Sequence, residues 1–187
     1  MKLARLPFAA VLLTAVLGAC GGESPSRAPD AASVPTGSKT ALERNAADAN
    51  RLVGEGTDDL KARLAALKGH PIVVNQWASW CGPCRAEFPY FAEAVRRHGD
   101  RVAFVGVNYM DSREAAQAFL EEQPPGFASV YDRDGEAARA IGGGRAMPTT
   151  LFIGRDGHEH VKLGSYADAA ELETDIRRLL LAPEGSS

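Results

Sequence analysis

The chain has 187 residues, a formal net charge of −3 and 45% hydrophobic residues. This composition excludes a fibrous protein and a chain that is disordered throughout, and the length allows one ordinary domain with residues left over at an end. The slight acidity and the lack of a long Lys/Arg run argue against a nucleic-acid-binding protein, which needs a basic surface.

The first 19 residues have the pattern of a secretory signal peptide. Lys2 and Arg5 precede residues 6–17, which are almost entirely apolar and too few to span a bilayer. Residues 17–20, Leu-Gly-Ala-Cys, resemble the lipobox of bacterial lipoproteins. This resemblance implies that Cys20 is lipidated and anchors the mature chain to a membrane. The alternative is an ordinary signal peptide with a chance cysteine.

A segment rich in Gly, Ser, Pro, Ala and Asp follows Cys20. Val34 and Leu42 are almost its only large apolar side chains before residue 50. Such a segment cannot bury enough surface to offset the chain entropy lost on folding. We therefore predict a lipidated cysteine and flexible linker in residues 20–57, one folded domain in residues 58–182, and a short tail in residues 183–187.

The folded part alternates predicted helices and strands. Leu60, Leu64 and Leu67 recur at helical spacing, and short apolar runs between turn residues predict strands. The predicted strands are 71–77, 101–108, 128–131, 149–153 and 158–163, and helices begin near residues 58, 81, 111, 135 and 167. Strand–helix–strand units followed by a hairpin and a last helix predict an α/β fold, in which helices flank a central mixed sheet.

Cys81 and Cys84 lie at the predicted start of a helix, directly after a strand. A helix N-terminus stabilises a thiolate, which is the reactive form of cysteine. Two intervening residues, Gly82 and Pro83, keep the sulfurs within reach of each other, so the pair can cycle between dithiol and disulfide. We expect Cys81 to be exposed and to attack a substrate, and Cys84 to be sheltered and to resolve the mixed disulfide.

Residues on both sides of the pair are candidates for substrate binding. Trp80 would cover the site and, together with Gly82 and Pro83, present a surface to a partner chain. Pro148 follows Met147 and precedes an apolar strand. A cis proline at this point would bring extended backbone beside the sulfurs, open to pairing with a substrate strand.

Residues 73–89, VVNQWASWCGPCRAEFP, resemble the active-site segment of the thioredoxin superfamily. Within that superfamily they are most similar to the TlpA/ResA-like extracytoplasmic thiol–disulfide oxidoreductases. Residues 147–150, Met-Pro-Thr-Thr, match the cis-proline segment of the same family. The resemblance covers about residues 58–182 and implies a thioredoxin fold with a redox-active Cys81–Cys84 pair.

Two positions in this segment bear on proton transfer. Asn75 stands where cytoplasmic thioredoxins have a buried aspartate, and Glu87 matches a glutamate that TlpA/ResA-like proteins place near the active site. A carboxylate there would raise the pKa of the neighbouring thiol and take the Cys84 proton during resolution. The alternative is a solvent-facing helical glutamate. The intervening Gly-Pro dipeptide is of the thioredoxin type and favours a reducing potential nearer roughly −270 mV than −120 mV.

The function implied by the resemblance is an extracytoplasmic enzyme that exchanges disulfides with exported proteins, as a reductant. In the family the substrates often include apocytochrome c. The sequence has no NADPH or flavin motif, so we expect no cofactor and a membrane electron-transfer protein as the redox donor. The same two cysteines also support the opposite direction, in which an oxidase donates its disulfide to exported chains.

Two further alternatives follow from single positions. His158 and His160 suggest a copper-binding metallochaperone, but copper chaperones of this fold carry three residues between their cysteines, so we expect no metal site. Ala78 stands where a peroxidase needs a threonine to activate the reactive cysteine, which disfavours a peroxiredoxin.

Overall fold

A computed structural model of the protein describes residues 40–182. Six strands form one sheet in the order β1-β4-β3-β2-β5-β6. The strands are β1 (Leu52–Glu55), β2 (Ile72–Trp77), β3 (Ala103–Tyr109), β4 (Ala128–Asp132), β5 (Thr149–Ile153) and β6 (Glu159–Leu163). The helices are α1 (Ala41–Ala46), α2 (Gly56–Ala66), α3 (Gly82–His98), α4 (Arg113–Glu122), α5 (Glu136–Ala140) and α6 (Ala169–Ile176), which continues into a π-helical turn, Arg177–Leu181.

The sheet is mixed, as predicted. β1, β4, β3 and β2 run parallel, whereas β5 pairs antiparallel with both β2 and β6. The hairpin and the helix that follows it complete the α/β architecture expected from the sequence. Every residue of the central strand β2 is buried, because helices cover both faces of the sheet there.

The two faces of the sheet carry different cores. On one face, α3 packs aromatic side chains, with the Phe88 ring 5.0 Å from that of Trp77 and 4.8 Å from that of Phe119 on α4. On the other face, α2 and α5 cover an aliphatic cluster that includes Leu60 and Val74. Because successive strand residues point to opposite faces, β2 contributes side chains to both cores.

Two elements precede the predicted start of the domain. Thr40 caps α1 in a capping box with Glu43, and Asn45 Nδ2 donates to the Phe104 carbonyl at 3.0 Å. β1 then pairs with β4, with Leu52 opposite Ser129. The assignment of these residues to a flexible linker is therefore wrong. A capping box and a few contacts to the sheet order a segment whose composition is poor in apolar residues.

The other predicted boundaries stay predictions. The signal peptide, Cys20 and the tail lie outside the described residues. No helix in residues 40–182 is both long enough and apolar enough to cross a membrane.

Candidate active site

The cysteine pair lies where the sequence predicts, between the end of β2 and the first turn of α3. Cys81 is the N-cap of α3, and its Sγ accepts a hydrogen bond from the backbone N–H of Cys84 at 3.3 Å. The two sulfurs form a disulfide, and the Cα atoms are 5.3 Å apart. The N-terminal dipoles of α3 therefore point at Cys81 Sγ, which is the sulfur that they would stabilise as a thiolate.

The expectation that Cys81 is exposed is wrong. Cys81 is 5% exposed and Cys84 is fully buried, so the order of exposure is as predicted but both residues are shielded. The shielding arises because Cys81 packs in the aromatic cluster below it. Trp80, at 58% exposure, and the exposed Gly82 and Pro83 form the surface beside the disulfide.

A carboxylate from another part of the chain supports the turn before the cysteines. Asp111 accepts hydrogen bonds from Ser79 N at 2.6 Å and from Ser79 Oγ at 2.9 Å. The Trp80 indole N–H donates to the Met110 carbonyl at 3.3 Å. The sequence predicts only that a helix begins near residue 111, and the N-cap of that helix is the neighbouring Ser112. Nothing local indicates a partner 32 residues away.

The Met147–Pro148 peptide bond is cis, as predicted. Met147 packs against the cluster that contains both cysteines. The segment is held by bonds from Gly164 N to the Pro148 carbonyl, at 2.9 Å, and from Thr149 Oγ1 to the Ala146 carbonyl, at 2.6 Å. Within residues 40–182, neither backbone polar group of Met147 makes a hydrogen bond. An extended chain can therefore pair with it.

Glu87 lies one turn after Cys84, on the buried side of α3. Its side chain is fully buried, so the alternative of a solvent-facing glutamate is wrong. Oε1 accepts from Asn75 Nδ2 at 3.0 Å, and Oε2 accepts from Tyr166 N at 3.1 Å. Burial raises the pKa of Glu87 to about 7, although both hydrogen bonds oppose the rise. Near neutral pH this carboxyl group can both release and accept a proton.

Gln76 is a buried polar residue that sequence reasoning missed. Its Nε2 donates to the Gly144 carbonyl at 2.5 Å, and its Oε1 accepts from Gly144 N at 2.8 Å. The only signal in the sequence is an uncharged polar side chain inside an apolar strand. The partner is 68 residues away, which no local pattern indicates.

The two histidines considered as copper ligands do not approach the cysteines. Both His158 and His160 are exposed. β5 leads from Thr149, next to the cis-proline segment, to Ile153, which pairs with Ile72 at the far end of β2. The hairpin that carries His158 therefore lies at the end of the sheet opposite the disulfide.

Comparisons with known proteins agree with this geometry. A family model described as Redoxin matches residues 26–174. The chain is 33% identical over 111 residues to the thiol-disulfide oxidoreductase ResA of Bacillus subtilis, which covers 59% of this chain and 62% of ResA. It is 41% identical over 88 residues to the thiol:disulfide interchange protein DsbE of Yersinia pestis, covering 46% and 45% of the two chains. The chain thus spans about half to three-fifths of the length of these curated relatives.

A solved structure shares the fold. A secreted disulfide oxidoreductase of Mycobacterium tuberculosis, described as homologous to E. coli DsbE, superposes with a TM-score of 0.56 at 27% identity. The match covers 62% of this chain and 86% of that chain. This likeness confirms the predicted thioredoxin-type fold, with its central sheet flanked by helices.

Proposed function

The chain belongs to the Redoxin family, and from this membership we propose that it is a membrane-anchored thiol–disulfide oxidoreductase that reduces disulfides in exported proteins. The observation that carries the proposal is the Cys81–Cys84 disulfide at the N-terminus of α3, beside the unpaired backbone of Met147. The proposal takes this cysteine pair as the redox-active group and the Met147 backbone as the place where a polypeptide substrate binds.

In the proposed reaction the reduced protein transfers two electrons to its substrate. The Cys81 thiolate attacks one sulfur of a substrate disulfide, and the other substrate sulfur leaves as a thiolate and takes a proton from water. Cys84 then loses its proton and attacks Cys81 Sγ, which releases the second substrate sulfur as a thiolate that also takes a proton from water. The substrate ends as a dithiol and the protein as the Cys81–Cys84 disulfide, so the electrons balance.

Glu87 is the proposed acceptor of the Cys84 proton. It lies three residues further along the same helix, so both side chains project from one side of α3. Its pKa of about 7 suits a group that must take up a proton near neutrality and then release it. Asn75 and Tyr166 fix the orientation of the carboxylate through one hydrogen bond to each oxygen.

Each turnover leaves the protein oxidised, so another protein must reduce it again. We propose a membrane electron-transfer protein as this donor and Cys20 as the lipid-bearing residue that holds the domain near it. The lipobox-like residues 17–20 support this placement. The secreted structural relative supports a site of action outside the cytoplasm.

The test is to trap substrates with Cys84→Ala in cells that express the full chain. We expect covalent complexes through Cys81 that dissociate on reduction and that contain exported proteins. The matched control, Cys81→Ala combined with Cys84→Ala, should give none. Failure to recover any mixed disulfide from Cys84→Ala would overturn a role in thiol exchange.

The direction of exchange has its own measurement. A Cys81–Cys84 reduction potential well below that of glutathione supports the reductase, whereas one well above it would establish the opposite, disulfide-donating direction. The anchor is tested by Cys20→Ser, which should move the protein from the membrane fraction to the soluble fraction. Equal membrane retention of wild type and variant would overturn lipidation at Cys20.

A further inference from the structure

Gln76 contacts the loop that leads to Met147, whose backbone is the proposed binding place for a substrate chain. It is fully buried near the end of β2, and its amide forms two hydrogen bonds with one residue, Gly144. Gly144 is buried as well, so its N–H and C=O need partners inside the protein. A glutamine amide supplies one donor and one acceptor without a charge, which matches the needs of a single backbone residue.

The neighbouring Gly143 shows how closely the loop lies against this amide. A Cβ atom added to Gly143 would lie 1.9 Å from Gln76 Oε1, far inside contact distance. The backbone φ of Gly143 is not in the left-handed region, in contrast to those of Gly142 and Gly144. Glycine is therefore needed at position 143 because of the approach of Gln76, and not because of backbone conformation.

The loop continues from this contact to Met147, which packs against the cluster that contains both cysteines. Only Arg145 and Ala146, both exposed, separate Gly144 from Met147. On the far side, the Ala146 carbonyl is held by Thr149 Oγ1. Met147 thus lies in a short segment whose beginning is fixed by Gln76 and whose end is fixed by the start of β5.

We propose that Gln76 is a positioning residue for substrate binding. Its amide holds the backbone N–H and C=O of Gly144 and so presets the Met147 backbone for pairing with an extended polypeptide. The inference rests on the proposed function. A preset segment loses less conformational freedom when a chain binds, so the amide should strengthen substrate binding and leave the cysteine chemistry alone. Gln76 faces away from Glu87, which supports this separation.

The first experiment compares a polypeptide substrate with a small one. Gln76→Met replaces the amide by an apolar side chain of similar size. In single-turnover assays with pre-reduced protein, the half-saturating concentration of insulin should rise about 10-fold while the limiting rate stays within twofold. Reduction of dithiobis(nitrobenzoate), which is too small to pair with the loop, should be unchanged. The Cys81–Cys84 reduction potential should be unchanged too.

The matched control is Asn45→Leu. It also removes a buried amide that donates to a backbone carbonyl, but near the start of β3, away from the disulfide. It should leave both substrates unaffected. If Gln76→Met slows the small disulfide as much as insulin, or leaves the insulin dependence unchanged, the proposal is overturned.

A double-mutant cycle tests the contact itself. Gly143→Ala should weaken insulin binding about 10-fold in the wild-type background, because the new methyl group displaces Gln76. In a Gln76→Ala background it should have little further effect. Equal effects of Gly143→Ala in both backgrounds would overturn the proposal.

Gln76→Glu supplies a rescue that a purely structural role would not show. As a neutral carboxylic acid it can donate to the Gly144 carbonyl and accept from Gly144 N, whereas the carboxylate can only accept. Relative to wild type at the same pH, insulin binding should be near normal at pH 5 and weak at pH 8. A constant ratio would count against the proposal. If wild type reduces neither substrate, the proposed function fails, whereas normal activity in every Gln76 variant defeats this inference alone.

Discussion

Asn75 and Gln76 are neighbours in β2, but they serve opposite faces of the sheet in different ways. Asn75 donates to Glu87, an ionisable group whose pKa lies near neutrality. Gln76 pairs with the uncharged backbone of Gly144. The contact on one face therefore includes an ionisable group, whereas the contact on the other face joins two uncharged groups. Strand alternation separates the two tasks, so substitutions should be able to disturb proton transfer and substrate positioning independently.

The largest expected effect comes from removing the ionisable group. Glu87→Gln should slow release of the substrate from the mixed disulfide by about 100-fold at pH 8, because Cys84 loses its proton acceptor. In wild type the rate should rise through pH 7, where Glu87 ionises, and the variant should lack that inflection. Stopped-flow fluorescence measures the release. Gln76→Met should keep the inflection, and a wild-type profile in Glu87→Gln would remove Glu87 from proton transfer.

Glu87→Gln, which slows substrate release, should also make the folded protein more stable at pH 8. Unfolded Glu87 ionises near its ordinary pKa of 4.5, whereas folded Glu87 holds its proton up to about 7. The free energy of unfolding should therefore fall as pH rises through this window, by about 3 kcal/mol. Glu87→Gln removes this penalty but loses one hydrogen bond, worth about 1 kcal/mol. At pH 8 the oxidised variant should be about 2 kcal/mol more stable than wild type.

Urea denaturation of both oxidised proteins at pH 4.5 and pH 8 measures this difference. At pH 4.5 folded Glu87 is protonated and unfolded Glu87 is half protonated, so the advantage of the variant should largely disappear. A stability difference that does not vary with pH would contradict the assignment of the raised pKa to Glu87.

A smaller effect should follow from weakening the support of Glu87. Asn75→Ala removes a donor that lowers the pKa of Glu87, so the inflection in the release rate should move to higher pH by roughly one pH unit. Thr150→Val is the control, since Thr150 pairs with Asn75 across the sheet and its Oγ1 has no partner in the described part of the chain. An equal displacement in the control would assign the change to packing.

The smallest effect should be on the pH response of the contact between Gln76 and Gly144. The insulin half-saturation ratio of Gln76→Met to wild type should stay constant within twofold between pH 6 and pH 8, because neither the amide nor the peptide titrates in that range. Single-turnover assays at several pH values measure the ratio. A ratio that follows the ionisation of Glu87 would show that the two faces are coupled.

The parts of the site that lie close together in sequence could be predicted. Cys81 and Cys84 follow a recognisable strand and begin a helix, and Met147 and Pro148 lead a second strand, so local patterns placed both segments. The burial of Glu87 could also have been inferred, because it lies three residues after Cys84 and four before Phe91 on one side of α3.

The missed parts depend on contacts between distant residues. Gln76 and Asp111 act through partners 68 and 32 residues away, which local periodicity does not describe. The exposure of Cys81 depends on its packing in three dimensions. In α1 the signal was present, since Thr40 and Glu43 have the spacing of a capping box, but the surrounding composition outweighed it.

The position of β1 has a practical consequence for anyone who shortens the protein. β1 is the outermost strand beside β4, so in a truncated chain that begins at residue 58 the backbone groups of β4 that face β1 would lose their partners. An exposed strand edge of this kind can pair with the strand edge of another molecule. Such a fragment should aggregate at concentrations where a chain that begins at residue 40 stays monomeric, and light scattering of the two purified proteins would reveal it.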